Sequence, residues 1–131
     1  MTIAIRHIRI LDGLGHRIER GTLLIEGTRI QAVGPEQDVR LPKGAQRIDG
    51  LGLTVLPGLI DCHVHFCLGA EADVVAAVEG EPSSLTLLKA AELARRTLHA
   101  GFTTVRDVGF RDHAVFALKQ AIESGLTPGP R

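Results

Sequence analysis

The chain has 131 residues, 44% of them apolar, and its fifteen basic side chains are balanced by fifteen acidic ones. That is enough length and apolar content for one modest domain with a real core. Zero net charge gives no electrostatic footprint for DNA, RNA or an anionic membrane, and four Phe with no Tyr or Trp leave few platforms for stacking single-stranded bases.

No apolar run reaches the roughly 18 residues of a spanning helix. The first twenty residues are broken by Arg6, Arg9, Asp12, Arg17, Glu19 and Arg20 and do not read as a signal peptide. Cys62 and Cys67 are too few for a disulfide framework, so a reduced, cytoplasmic setting is expected.

Residues 1–55 read as short strands and turns. Ile3 and Ile5 alternate with polar neighbours, and Ile8 and Ile10 resume the alternation out of phase, which predicts a bulge. Asp12-Gly13 marks a turn. Thr22–Glu26 and Arg29–Val33, joined by Gly27-Thr28, predict a tight hairpin in which Gly27 takes positive φ, and Gly34-Pro35 ends it. A polar loop over 35–44 leads to strands near Gln46–Asp49 and Leu53–Leu56.

Pro57-Gly58 marks a change of grammar. Leu59–His65 reads as a strand, and residues 67–83 as a long connection with a short helix at Ala72–Val78. A helix is predicted from Ser84 to His99, with Leu87, Ala91, Ala94 and Leu98 on the inner face, widened by Leu88. Ser83 or Ser84 is expected to cap it, and Gly101 to take the left-handed position after its end. Phe102–Asp107 follows as a strand, then a helix from Asp112 to Ser124 with Val115, Leu118 and Ile122 inward and Gly125 as the stop. Thr127–Arg131 is a turn that should lead into another strand. Strand–helix–strand–helix implies a parallel sheet. An eight-fold βα barrel needs about 250 residues, so the chain reads as a truncated piece with a 1–55 domain and two βα units in 56–131.

Asp61, His63 and His65 are spaced by two, which on a strand sets them on one face, with Cys62, Val64 and Phe66 turned toward covering helices. Two imidazoles about 7 Å apart along a strand can turn toward one metal ion, and neutral ring nitrogens suit Zn, Fe or Ni. Asp61 could orient an imidazole or satisfy backbone groups. A bare His-x-His pair is by itself more often the pattern of two hydrogen-bonded core histidines. The context favours a metal: the pair follows a Pro-Gly turn and closes the first strand of a βα series, the end where barrel active sites are built.

The run Leu56-Pro57-Gly58-Leu59-Ile60-Asp61-Cys62-His63-Val64-His65 resembles the Pro-Gly-x-x-Asp-x-His-x-His segment of the amidohydrolase superfamily. The stretches Ala100–Gly109 and Ala121–Arg131 are similar to its imidazolonepropionase-like and Xaa-Pro dipeptidase-like members. The resemblance implies an α/β protein: the first βα units of a (β/α)8 TIM-like barrel, preceded by part of a small β-sandwich. It implies His63 and His65 as ligands of one or two divalent ions, with zinc expected, and further ligands and the general base beyond Arg131. The implied reaction is hydrolysis of a C–N bond in an amide, cyclic amide or dipeptide by a metal-activated water. On this reading the 131 residues alone are inactive.

Arg106 and Asp107 end the second strand, so one of them should face the pocket; the register that decides which stays open. Cys67 is expected to be a packed or partly exposed thiol rather than a ligand. His99 and His113 on helices, and His7 and His16 in the first half, are expected to have no catalytic role. Glu71, Asp73 and Glu79 in the long loop could favour a cationic substrate group or serve as ordinary solvation. The expected partner is a small-molecule substrate, with no nucleic acid and no membrane, and homo-oligomerisation stays open. Two alternatives remain: a deaminase within the same family, and a catalytically incomplete chain whose open sheet edges make it a binding or assembly partner.

Overall fold

The computed structural model describes residues 1–69, 71–109 and 113–131. The fold is α/β and divides into two compact units, Met1–Pro57 and Gly58–Arg131.

The first unit is a mixed sheet of five strands: β1 (Thr2–Leu11), β2 (Arg17–Glu26), β3 (Arg29–Pro35), β4 (Gln46–Asp49) and β5 (Thr54–Val55). The order is β3-β2-β1-β4, with β5 also on β1; the hairpins β1–β2 and β2–β3 are antiparallel and β4 and β5 join β1 in parallel. Leu23 and Leu24 are neighbours on β2, so their side chains take opposite faces. Leu24 packs with Ala4 and Val39, Leu23 with Ile8 and Ile10. Both faces of this sheet therefore carry apolar clusters. Ile8 is fully buried, a contribution of about 1.5–3 kcal/mol from its side chain.

The out-of-phase isoleucines of β1 are a real irregularity. Its register against β2 shifts between Arg6 and Ile8 and again between Ile8 and Ile10. His7 absorbs the kink with φ of 59°, the one non-glycine in the left-handed region among the described residues. Its ring meets Glu36 through Nε2 at 3.1 Å and Asp49 through Nδ1 at 2.9 Å, contacts that offset part of the backbone strain. Gly27 takes φ of 59° at the hairpin tip, as its turn requires.

In the second unit β6 (Leu59–Val64) and β7 (Phe102–Asp107) pair in parallel, joined through α1 (Val74–Val78) and α2 (Ser83–His99), and α3 (Ala114–Glu123) follows β7. The predicted start of the last helix, Asp112, lies outside the described residues. The core comprises Phe66, Cys67, Ala90, Ala94 and Leu118, with Val64, Leu87, Val105 and Ile122 packed against it. The inner face of α2 keeps Ala94 of the expected stripe buried and Leu87 and Ala91 packed on the core, but Thr86 and Ala90 are buried beside them and Leu88 is 69% exposed. Small side chains one turn apart face inward, and the bulkier leucines flank them.

The cap of α2 also differs. Pro82, rather than Ser83 or Ser84, occupies the N-cap, and the Thr86 hydroxyl donates to Glu81 Oε1 at 2.8 Å. Gly101 ends the segment with φ of 97°, the left-handed geometry expected there. At the other edge of β7, Arg131 donates its N–H to the Thr103 carbonyl at 2.9 Å and accepts from the Val105 N–H at 2.8 Å. The segment after the turn at Ser124-Gly125 thus brings the backbone onto β7 with the bond pattern of a parallel pair. Among the described residues no helix is long and apolar enough to cross a membrane.

Candidate functional site

The two histidines of the His-x-His run lie at the C-terminal end of β6. The strand proper stops at Val64, and His65 begins a turn closed by its carbonyl accepting from the Leu68 N–H at 3.0 Å. Because His65 leaves the extended geometry, the imidazoles come closer than strand spacing alone would set them. Their ring centroids are 5.2 Å apart and their planes 71° apart, an edge-to-face meeting. His63 is exposed and His65 half-buried.

Strict alternation does not run through this segment. The register passes from Asp61 opposite Val105 to Val64 opposite Asp107, three steps on β6 against two on β7. The extra residue is a bulge, and Asp61 takes part in it: its Oδ1 accepts the His63 N–H at 3.0 Å, removing that donor from the ladder. The same irregularity leaves Cys62 exposed, not turned toward helices, while Val64 and Phe66 reach the core as expected. Cys67 is buried with them.

His65 is held further. Its Nδ1 bonds the carbonyl oxygen of Gly109. A carbonyl only accepts, so Nδ1 carries the hydrogen, and in the neutral ring Nε2 keeps its lone pair. An imidazole in that tautomer, beside a second imidazole, is a suitable donor pair for a borderline divalent ion. The described residues hold no group of three or more His, Cys, Asp or Glu placed to bind a metal.

Arg106 and Asp107 reach the backbone on either side of the histidines. Arg106 Nε donates to the Cys62 carbonyl at 2.8 Å. Asp107 accepts twice, from the Phe66 N–H at 3.0 Å and from the Gly109 N–H at 2.7 Å. Gly109 was not singled out from the sequence, although the Asp-x-Gly spacing of Asp107 and Gly109 signals a side-chain-to-backbone turn. In the long loop, Asp73 caps α1 by accepting the Ala76 N–H. His99 is exposed in the last turn of α2, and His113 is the exposed N-cap of α3. His16 is exposed and pairs with Asp12.

The model of the amidohydrolase family matches residues 54–131, more than half of the chain. The chain belongs to the amidohydrolase family. Among curated amidohydrolase relatives it is similar to the imidazolonepropionase of Chloroflexus aggregans, 31% identical over 105 residues that cover 70% of this chain and 25% of the relative. It is similar also to the dihydroorotase of Lactococcus lactis subsp. lactis, 41% identical over 66 residues, 50% of this chain and 15% of the relative. Among solved structures, a prolidase complexed with N-methylphosphonate-L-proline superposes with a TM-score of 0.80 at 36% identity, covering 100% of this chain and 31% of that one. The chain therefore spans a quarter or less of these curated relatives and under a third of that solved structure. These relatives are hydrolases, and the amidohydrolase assignment rests on the β6–β7 half, where the histidine pair lies.

Proposed function

We propose that the protein carrying these residues is a metal-dependent hydrolase of carbon–nitrogen bonds, and that His63 and His65 are two of its metal ligands. The observation that carries this reading is the edge-to-face meeting of the two imidazoles at the end of β6, with Nδ1 of His65 committed to a carbonyl. We propose one or two zinc ions as the cofactor; a bound ion of this kind supplies Lewis acidity toward a carbonyl and toward water. The residues present hold and orient. His63 and His65 offer ring nitrogens, Asp61 fixes the backbone of His63, and Arg106 and Asp107 tie the strand ends around the pair.

Two imidazoles are one short of the three protein ligands usual for catalytic zinc. The further ligands and the general base are proposed to come from outside these 131 residues, which by themselves would not turn over substrate. The parallel β6–β7 pair and the Arg131 backbone on β7 support a (β/α) barrel around this site, and the mixed sheet of residues 1–57 supports an attached β-sandwich. The names of the relatives favour a cyclic amide or a proline dipeptide as substrate. Two cysteines outside any disulfide fit a reduced, cytoplasmic setting.

The test is hydrolysis of a cyclic amide and of a proline dipeptide by the protein expressed from its complete reading frame, before and after chelation and zinc readdition. Activity lost on chelation, restored by zinc and abolished in His63→Ala is expected. Hydrolysis that survives both chelation and His63→Ala would contradict the proposal.

A further inference from the structure

Asp107 is the polar side chain at the end of β7, and its two carboxylate oxygens serve two different segments. Oδ2 accepts from the N–H of Phe66, the residue after His65. Oδ1 accepts from the N–H of Gly109, whose carbonyl takes the Nδ1 hydrogen of His65. Between them, the Val108 N–H donates to the carbonyl of Val64, the residue before His65, at 3.0 Å. Both backbone neighbours of His65 and the acceptor of its ring are therefore tied to the three-residue turn 107–109. Gly109 has φ of 81° there, a conformation strained for any residue with a Cβ.

We propose that Asp107 is a positioning residue for His65: by holding Phe66 and Gly109 together it fixes the ring orientation and the Nδ1–H tautomer of His65, leaving Nε2 as the metal-binding nitrogen. The role of His65 as a ligand rests on the function proposed above; the locking of its ring does not. Charge strengthens the arrangement. Hydrogen bonds from N–H groups to an ionised carboxylate are about twice as strong as neutral ones, so one side chain adds two strong ties between backbone segments that the Val108–Val64 bond already joins. A ligand whose orientation is set before the ion arrives binds with less ordering cost.

The tautomer is read directly by 15N correlation spectroscopy of the imidazoles in the metal-free protein, expressed from its complete reading frame, at about pH 8, where an ordinary imidazole is neutral. Wild type is expected to hold His65 in a single Nδ1–H form. Asp107→Ala is expected to relax it toward the mixture of a free imidazole while the Ala90 and Ala94 signals of the core stay in place. Asp107→Asn, which keeps one acceptor oxygen, is expected to lie between. If Asp107→Ala does not fold, wild type and Asp107→Asn carry the comparison. A wild-type His65 in the Nε2–H form, or a folded Asp107 variant with an unchanged His65 ring, would overturn the proposal. Zinc added to the same samples should bind about 10–100-fold more weakly to a folded Asp107→Ala. Zinc that bypasses His65 in wild type would defeat the ligand assignment, and the tautomer data would still decide the role of Asp107.

Discussion

The imidazoles of His63 and His65 meet edge to face with 5.2 Å between ring centroids. The pair forms because β6 ends one residue before His65, and because the Gly109 carbonyl on the neighbouring strand end captures its Nδ1. Parallel pairing of β6 and β7 puts both strand ends on one side of the sheet, so the backbone that orients the ring comes from 44 residues away.

Gly58 lies against Thr103 where the two strands begin. A Cβ built on Gly58 would fall 2.0 Å from Thr103 Oγ1 and 2.7 Å from its Cβ, distances no rotamer change can relieve. Gly58→Ala should cost about 1–3 kcal/mol through overpacking. Its urea midpoint, compared with that of Gly58→Ala in a Thr103→Gly background, checks the cause. The double variant should recover most of the loss that Gly58→Ala adds to wild type; no recovery would mean the strain lies in the backbone.

Thr22 is 1% exposed in β2, and its hydroxyl oxygen has no hydrogen-bond partner among the described residues. Burying an unsatisfied hydroxyl costs about 1–3 kcal/mol. Thr22→Val, of nearly the same shape, should therefore raise the urea midpoint by the equivalent of about 1 kcal/mol. A lowered midpoint would contradict the unsatisfied state of the hydroxyl.

Hydrogen bonds from Arg95 and Arg96 hold the Glu92 carboxyl on α2 at a pKa of about 2, below its ordinary 4.5. A carboxyl depressed on folding stabilises the native state above its unfolded pKa, and the gain is lost as pH falls through the folded value. The side chain is solvent-accessible, so salt screens the effect. Urea midpoints near pH 5 and near pH 3 should differ less in Glu92→Gln than in wild type. An unchanged difference would show that other carboxylates carry the acid sensitivity.

Much of this fold was legible where local chemistry decides it. The phase slip from Ile5 to Ile8 marked the bulge at His7, and Gly27, Gly101 and Gly125 marked the turns that need positive φ. The inner face of α2 was legible in part: Leu87, Ala91 and Ala94 pack as their spacing predicts, whereas Thr86 and Ala90 are buried and Leu88 is not. The histidine pair was visible as a spacing, but not its geometry. The bulge at Asp61–Val64 needs the register with β7, and the bonds from Asp107 to Phe66 and from His65 to Gly109 each join residues more than forty positions apart. Spacing along one strand carries no information about a partner strand.

The most direct test of the metal assignment is zinc titration of the protein expressed from its complete reading frame, followed by imidazole 15N resonances. His63 and His65 are expected to shift together while His7, His16, His99 and His113 do not, and His63→Ala or His65→Ala to weaken binding by about 10-fold or more. Zinc that spreads over all six of these histidines, or that leaves His63 and His65 untouched, would contradict the assignment.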